Sequence, residues 1–209
     1  MSSLRDRQRA QIRADISFAA FRLFATHGFD NVTTEQIAAA AGISASTFFR
    51  YTATKEDLLL DPVRRGGDAI ALLLEQRPSA ESPDMALVRA IEARTGVFQE
   101  NQSDWRAAML TAPTLLEKLS LIAPEDRNRL VKLTAARMGT DPQRDTRPGL
   151  LVHLALAAAD FAFQQWVLTS DDDQRSLQLL VSEALEVVLH PRWKARRGRA
   201  AGARSRLEK

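Results

Sequence analysis

The sequence predicts an all-α chain of about nine helices, with an amino-terminal three-helix, helix-turn-helix head on a larger helical body. Three observations predict it. Apolar residues recur at three- and four-residue spacing along most of the 209 residues. No stretch shows the period-two alternation of a half-buried strand. Glycines, prolines and capping residues punctuate the apolar runs at helix-length intervals. With 45% hydrophobic and 26% charged residues, a packed core is feasible.

Residues 5–27 form the first helix. Ile12, Ile16, Ala19, Ala20, Leu23 and Phe24 make its apolar stripe, Phe18 and Phe21 widen it, and Gly28 stops it. Thr33 or Thr34 caps the second helix, in which Glu35, Gln36 and Ile37 precede four alanines. Gly42 supplies the left-handed turn that ends it. Ser44 caps a short third helix carrying Ser46, Thr47, Phe48, Phe49 and Arg50, and Thr54 caps a fourth beginning at Lys55. Helix, glycine turn and short helix make a helix-turn-helix, the arrangement that reads DNA.

The fourth helix carries Leu58, Leu59, Leu60, Val63, Ile70, Leu72, Leu73 and Leu74, but Pro62 and Gly66-Gly67 interrupt it. Proline removes a helical hydrogen bond and glycine costs ~1 kcal/mol relative to alanine, so a break is expected between residues 61 and 67. It is either a plain loop or a compliant joint. Residues 77–84 form a linker, and Ser82-Pro83 opens a helix to about Glu100 with Met85, Val88, Ile91, Ala93 and Phe98 apolar. Another runs from Trp105 to Leu121, disturbed at Pro113. Pro124 opens one through Met138, closed by Gly139, and Pro148 opens one to about Ser170. Asp171, Asp172 and Asp173 favour the start of the last, which reaches about Leu189.

No cysteine is present, which excludes disulfides, thiolate metal sites and thiol nucleophiles. No apolar run approaches the roughly 20 residues of a membrane span, and the charged start lacks a signal-peptide core. A cytoplasmic protein without a membrane partner is expected. The net charge of +3 conceals an asymmetry: residues 192–209 carry +7, leaving −4 for residues 1–191. The organisation read from these features is a DNA-binding head over residues 1–54, a ligand-binding and dimerisation body over 55–191, and a basic tail over 192–209. That tail has little to bury, so it is expected to be a disordered extension that can also act as an arm adding phosphate contacts.

The first 58 residues resemble the TetR family of one-component transcriptional regulators. The ordered set is Leu23-Phe24, Gly28-Phe29, Thr33-Thr34 before Ile37-Ala38, Gly42-Ile43-Ser44, the aromatic pair after Thr47, and Lys55-Glu56 before Leu58. The resemblance implies phosphate contacts at Thr34 and Lys55, and a recognition helix with its approach at Ser44, Ala45, Ser46, Thr47, Phe49 and Arg50. Two positions depart from the family pattern. Phe49 stands where tyrosine is usual and lacks its hydroxyl, which Tyr51 offers nearby, and Thr52 replaces a common phenylalanine. The run from Asp104-Trp105-Arg106 through Pro113 is faintly similar to members that sense acyl-thioesters or other lipid-like molecules.

Arg50 suits the edge of guanine or a phosphate, and the hydroxyls of Ser44, Ser46 and Thr47 suit phosphates. In the body, Ala155, Ala158 and Ala162 on one helix, with Leu177, Val181, Ala184 and Val188 on the next, suit a four-helix interface between two subunits; burial within one subunit is the alternative. Phe98, Trp105, Arg106, Met109, Met138, His153, Phe161 and Trp166 are candidate pocket residues, each also able to serve as plain core or surface. His153, Asp160 and Gln164 share one face and are expected to make a hydrogen-bonded polar spot or an exposed edge rather than a site.

The expected function is a repressor that binds a palindromic operator in double-stranded DNA as a homodimer and is released by a small, largely apolar effector. A body of about 150 residues exceeds what dimerisation needs, which favours a sensor over a ligand-independent DNA-binding or scaffold protein. An enzyme is the remote alternative, since no phosphate loop, nucleophile elbow or metal-spaced histidine pair occurs. No cofactor and no metal are expected.

Overall fold

The computed structural model describes residues 4–64, 66–99, 103–117, 122–169 and 175–189, with the backbone alone at 97–99. These residues form eleven α-helices and one 3₁₀ turn. In order they are α1 (Leu4–His27), the turn (Phe29–Asn31), α2 (Thr34–Ala40), α3 (Ala45–Tyr51), α4 (Lys55–Arg64), α5 (Gly66–Glu75) and α6 (Pro83–Gln99). There follow α7 (Ser103–Leu110), α8 (Pro113–Glu117), α9 (Pro124–Met138), α10 (Arg147–Leu168) and α11 (Leu177–Leu189). Two of the nine helices read from the sequence are subdivided at the interruptions expected of them, between Pro62 and Gly66 and ahead of Pro113. The aspartates at 171–173, the stretch 118–121 and the tail 192–209 lie outside the described residues, as does the side chain of Phe98.

The helix ends follow from the sequence. Gly28 stops α1 at φ 82°, and its N–H donates to the Phe24 carbonyl at 2.9 Å. Thr33 and Gln36 cap α2 reciprocally: Thr33 Oγ1 accepts from Gln36 N at 3.3 Å and Gln36 Oε1 accepts from Thr33 N at 2.8 Å. Thr54 and Asp57 repeat the device at α4, with both bonds at 3.2 Å. Ser176 caps α11, its Oγ accepting from Leu179 N at 3.1 Å.

The head packs α1, α2 and α3 around Ile16, Ala20, Phe24, Ile37 and Phe48, all buried. α4 touches α1 on one side and α5 and α7 on the other, so it belongs to both head and body. α1 also lies along α7, where Phe29 N donates to Thr111 Oγ1 at 3.1 Å.

In the body α10 packs against α6, α7, α9 and α11. Its 22 residues, with a mean hydropathy of 1.3, are long and apolar enough to cross a membrane by length and composition, which corrects the reading that no stretch approaches this. Half of that window is buried inside the fold. The polar trio on α10 is graded: His153 is exposed, while Asp160 and Gln164 are partly buried.

α5 is strapped to α9. Arg129 donates to Asp68 at 2.7 Å and to Glu75 at 2.8 Å. Arg137 donates to the carbonyls of Leu74, Arg77 and Pro78 at 3.0, 2.6 and 3.0 Å, satisfying acceptors that the end of α5 leaves without helical donors. Gly67 belongs to the same contact. A Cβ there would lie 2.9 Å from the Cβ of Asp126, so the glycine permits a close helix approach as well as marking the break.

Between α5 and α6, Glu81 accepts from both Arg77 and Arg89, the latter at 2.5 Å. The Arg77 hydrogen bond, followed by that of Arg89, holds the Glu81 carboxyl down at about 2. A depressed carboxylate contributes stability above its ordinary value of 4.5 and loses it as pH falls towards about 2. Urea-unfolding midpoints measured across that window should therefore fall more steeply for the wild type than for Glu81→Gln. Parallel profiles would show that the fork contributes nothing.

Candidate nucleic-acid interface and body cavity

The reading helix is organised by hydroxyls. Ser44 Oγ accepts from Thr47 N at 3.2 Å, donates to Thr47 Oγ1 at 3.0 Å and lies 3.0 Å from Ser46 Oγ. The cap of α3 and the three hydroxyls expected at DNA are thus one exposed cluster. Arg50 is exposed, with its guanidinium carbon 5.4 Å from the Tyr51 ring centroid. Phe49 is 53% exposed and meets Phe48 edge-on, at 5.4 Å between centroids, while Phe48 is fully buried. Tyr51 is partly buried, and Thr52 closes α3 by donating its N–H to Phe48 O at 3.0 Å. Ala45 and Thr34 open α3 and α2, both partly buried.

Lys55 is placed differently from an outward phosphate ligand. Its Nζ donates to the carbonyls of Phe29 at 2.9 Å and Val32 at 3.1 Å, and sits 4.4 Å from the Phe29 ring centroid. The ammonium thus joins the start of α4 to the turn after α1. Nothing in the local sequence signals this, because its acceptors are backbone groups more than twenty residues away.

The expected pocket residues divide into a packed cluster and a scattered remainder. Trp105 is buried, donates Nε1–H to the Leu59 carbonyl at 2.9 Å, and stacks on Trp166 at 6.4 Å with Phe163 at 5.7 Å. Met109 is fully buried; Arg106 lies 5.4 Å from the Trp166 ring centroid and donates Nε–H to Val167 O at 3.3 Å. These four sit together as close-packed core. Met138 is partly buried, His153 exposed, and Phe161 is 61% exposed on the outer face of α10.

The open space lies beside that cluster. A cavity of about 50 Å³ is bounded by Val63, Ile70, Ile91, Leu156 and Phe163, among others, and none of the eight expected residues lines it. Leu177 and Val181, expected at a subunit interface, line this cavity instead and are buried within the chain. Arg94 and Thr95 also line it, and the sequence reading missed both. A signal existed: Leu87, Ala90 and Ile91 define the buried face of α6, and positions 94 and 95 continue that register with polar residues.

The small residues of α10 point mostly inward. Ala155, Ala158 and Ala162 are buried because that face packs on the chain's own helices. The outward face is a different stripe: Leu150, Leu154, Phe161 and Leu168 are each between 48% and 61% exposed. With Val187 on α11, also 61% exposed, part of this stripe borders a shallow groove whose floor includes Ala158, Ala162, Ala184 and Val188.

A helix-turn-helix head on an all-α body, joined through a shared helix, defines a DNA-binding regulator of the one-component kind. Residues 16–61 match the family model described as bacterial regulatory proteins, tetR family, and residues 81–192 match that of the MftR C-terminal domain. The regulator TcmR of Streptomyces glaucescens is 31% identical over 192 residues, covering 88% of this chain and 85% of its own. The chain belongs to the TetR family of transcriptional regulators. Two solved structures share its fold: the fatty acid degradation regulator FadR from Bacillus halodurans and NalD of Pseudomonas aeruginosa. FadR has a TM-score of 0.55 at 21% identity, covering 86% of this chain and 95% of its own. NalD has a TM-score of 0.57 at 18% identity, covering 86% of this chain and 96% of its own.

Replacing Lys55 by methionine keeps the aliphatic stem but leaves the carbonyls of Phe29 and Val32 without their donor. The expected loss of stability is about 1–3 kcal/mol. Urea unfolding followed by circular dichroism measures it, and unchanged midpoints would show the clamp to be idle.

Proposed function

We propose that this protein is a cytoplasmic repressor that binds a palindromic operator as a homodimer and releases it when a small, largely apolar effector occupies the body. In this reading the head spans residues 1–54, the body 55–191, and the basic tail 192–209 adds phosphate contacts. The observation that carries the dimer, and through it the palindrome, is the outward apolar stripe of α10 and α11. Four of its side chains, Leu150, Phe161, Leu168 and Val187, are about 60% exposed, more than an isolated globule gains by leaving to water. A second copy related by a two-fold axis would bury both stripes and complete a four-helix interface.

Each head reads a half-site. Arg50 is the base-reading side chain; Ser44, Ser46, Thr47 and Thr34 hold phosphates, with Tyr51 supplying a phenolic hydroxyl, and Ala45 and Phe49 make apolar contacts in the groove. Lys55 serves the interface by fixing α4 against the head. The structural relative NalD is a repressor by its own description, which supports that sign of regulation here. The FadR relative acts in fatty acid degradation, which favours a lipid-like effector.

The cavity of about 50 Å³ holds a few waters at most, and ligand sites generally need about 300–1,000 Å³. An effector therefore has to part α5, α6 and α10, and that displacement is the means by which it acts on α4. The same small volume favours the competing reading, a DNA-binding protein that needs no ligand.

Two measurements test the proposal. Arg50→Ala should weaken specific operator binding by about 1–3 kcal/mol while changing affinity for random DNA much less. Equal loss on both would reassign Arg50 to a phosphate. Phe161→Asp should turn the dimer into a monomer in light scattering and abolish binding across two half-sites, with its circular dichroism unchanged. A variant that stays dimeric would move the interface elsewhere.

A further inference from the structure

Among the described residues lining the body cavity, Arg94 alone is charged, and Thr95 commits its hydroxyl to the Ile91 carbonyl of its own helix at 2.8 Å. The remaining walls include Val63, Ile70, Ile91, Leu156 and Phe163. Arg94 is half-buried, and that burial pulls its guanidinium below its ordinary value, although an arginine stays charged throughout. A fixed charge facing an apolar cavity costs free energy that an anion can offset and a neutral molecule cannot.

The same guanidinium reaches out of the cavity. Arg94 Nη2 donates to the Pro62 carbonyl at 3.1 Å, in the last turn of α4. Carbonyls at a helix end have no donor of their own helix, so α6 supplies one across the break between α4 and α5. One side chain therefore touches both the cavity and the helix that leads to the head.

We propose that Arg94 is the anion anchor of the body cavity and the residue that reports its occupancy: an apolar molecule with an anionic head group draws the guanidinium from the Pro62 carbonyl and frees the end of α4. This rests on the sensor reading given above and deepens it by naming the effector's chemical class and the coupling residue. A charge-assisted bond to an anion is about twice as strong as one to a neutral carbonyl, so the exchange runs towards the ligand. α4 is also held by Lys55 at the head and by Trp105 at Leu59, so release of its far end lets it pivot on those two points. A neutral amphiphile of equal length fills the cavity without making that exchange.

The test uses the full-length protein with three probes sharing one chain: octanoate, octyl phosphate and 1-octanol. Binding is followed by calorimetry, and release of the DNA upstream of the gene by fluorescence anisotropy. At least one anionic probe should bind about tenfold more tightly than octanol and should alone release DNA. Which of the two does so identifies a carboxylate or a phosphate head. Arg94→Gln should erase the preference and the release together, while Arg94→Lys should keep part of the preference. Equal affinity of all three probes for the wild type, or a preference that survives in Arg94→Gln, overturns the anchor and leaves the sensor reading standing. Binding of no probe to a wild type that still holds DNA overturns both.

Discussion

The carbonyl of Leu59 accepts the indole N–H of Trp105 at 2.9 Å, and this buried bond fixes the helix on which the rest of the molecule depends. α4 is only ten residues long, yet it packs on α1 in the head and on α5 and α7 in the body. Its first residue is clamped to the turn after α1, its middle is bonded to α7, and its last turn is bonded to α6. Each attachment comes from a different part of the chain, and each is polar within largely apolar surroundings. Packing alone leaves a helix free to slide by small amounts; three directional bonds define its rotation and depth. Head and body are thereby set relative to one another through a single short element.

Most of the fold was legible in the sequence, because helix ends are written in local chemistry. Gly28, Gly42 and Gly139 all adopt positive φ, and Thr33, Ser44, Thr54 and Ser176 all cap. Pro62 and Gly66 placed a break where one occurs. What could not be read was the second use of Gly67, whose missing Cβ admits Asp126 from α9. A close approach between helices sixty residues apart leaves no local trace. The hydropathy of α10 was underestimated because His153 and Asp160 interrupt the run without removing its overall apolar character.

The site was legible to a lesser degree, for a geometric reason. Periodicity shows that a helix has an apolar face but not which apolar neighbours it meets. α10 is apolar on two sides, so its alanines and its leucines were equally eligible for an interface; the alanines went inward, where helices approach closely. Trp105, Trp166 and Met109 were identified as large and apolar, and they pack solidly instead of bounding a space. Arg94 escaped notice although it sits in the buried register of α6. Lys55 was identified on the strength of a resemblance, and its ammonium turns inward to backbone acceptors.

The outward stripe of α10 and α11 carries a thermodynamic consequence for the chain itself. Phe161 and Val187 are each 61% exposed, so whatever covers them acts as a ligand for the folded state alone. By mass action such a partner adds about 2.7 kcal/mol of stability when present at a hundred times its dissociation constant. If the cover is another copy, the melting temperature rises with protein concentration. A newly made regulator at low copy number is then less stable, and more open to proteolysis, than the same chain in an established pool.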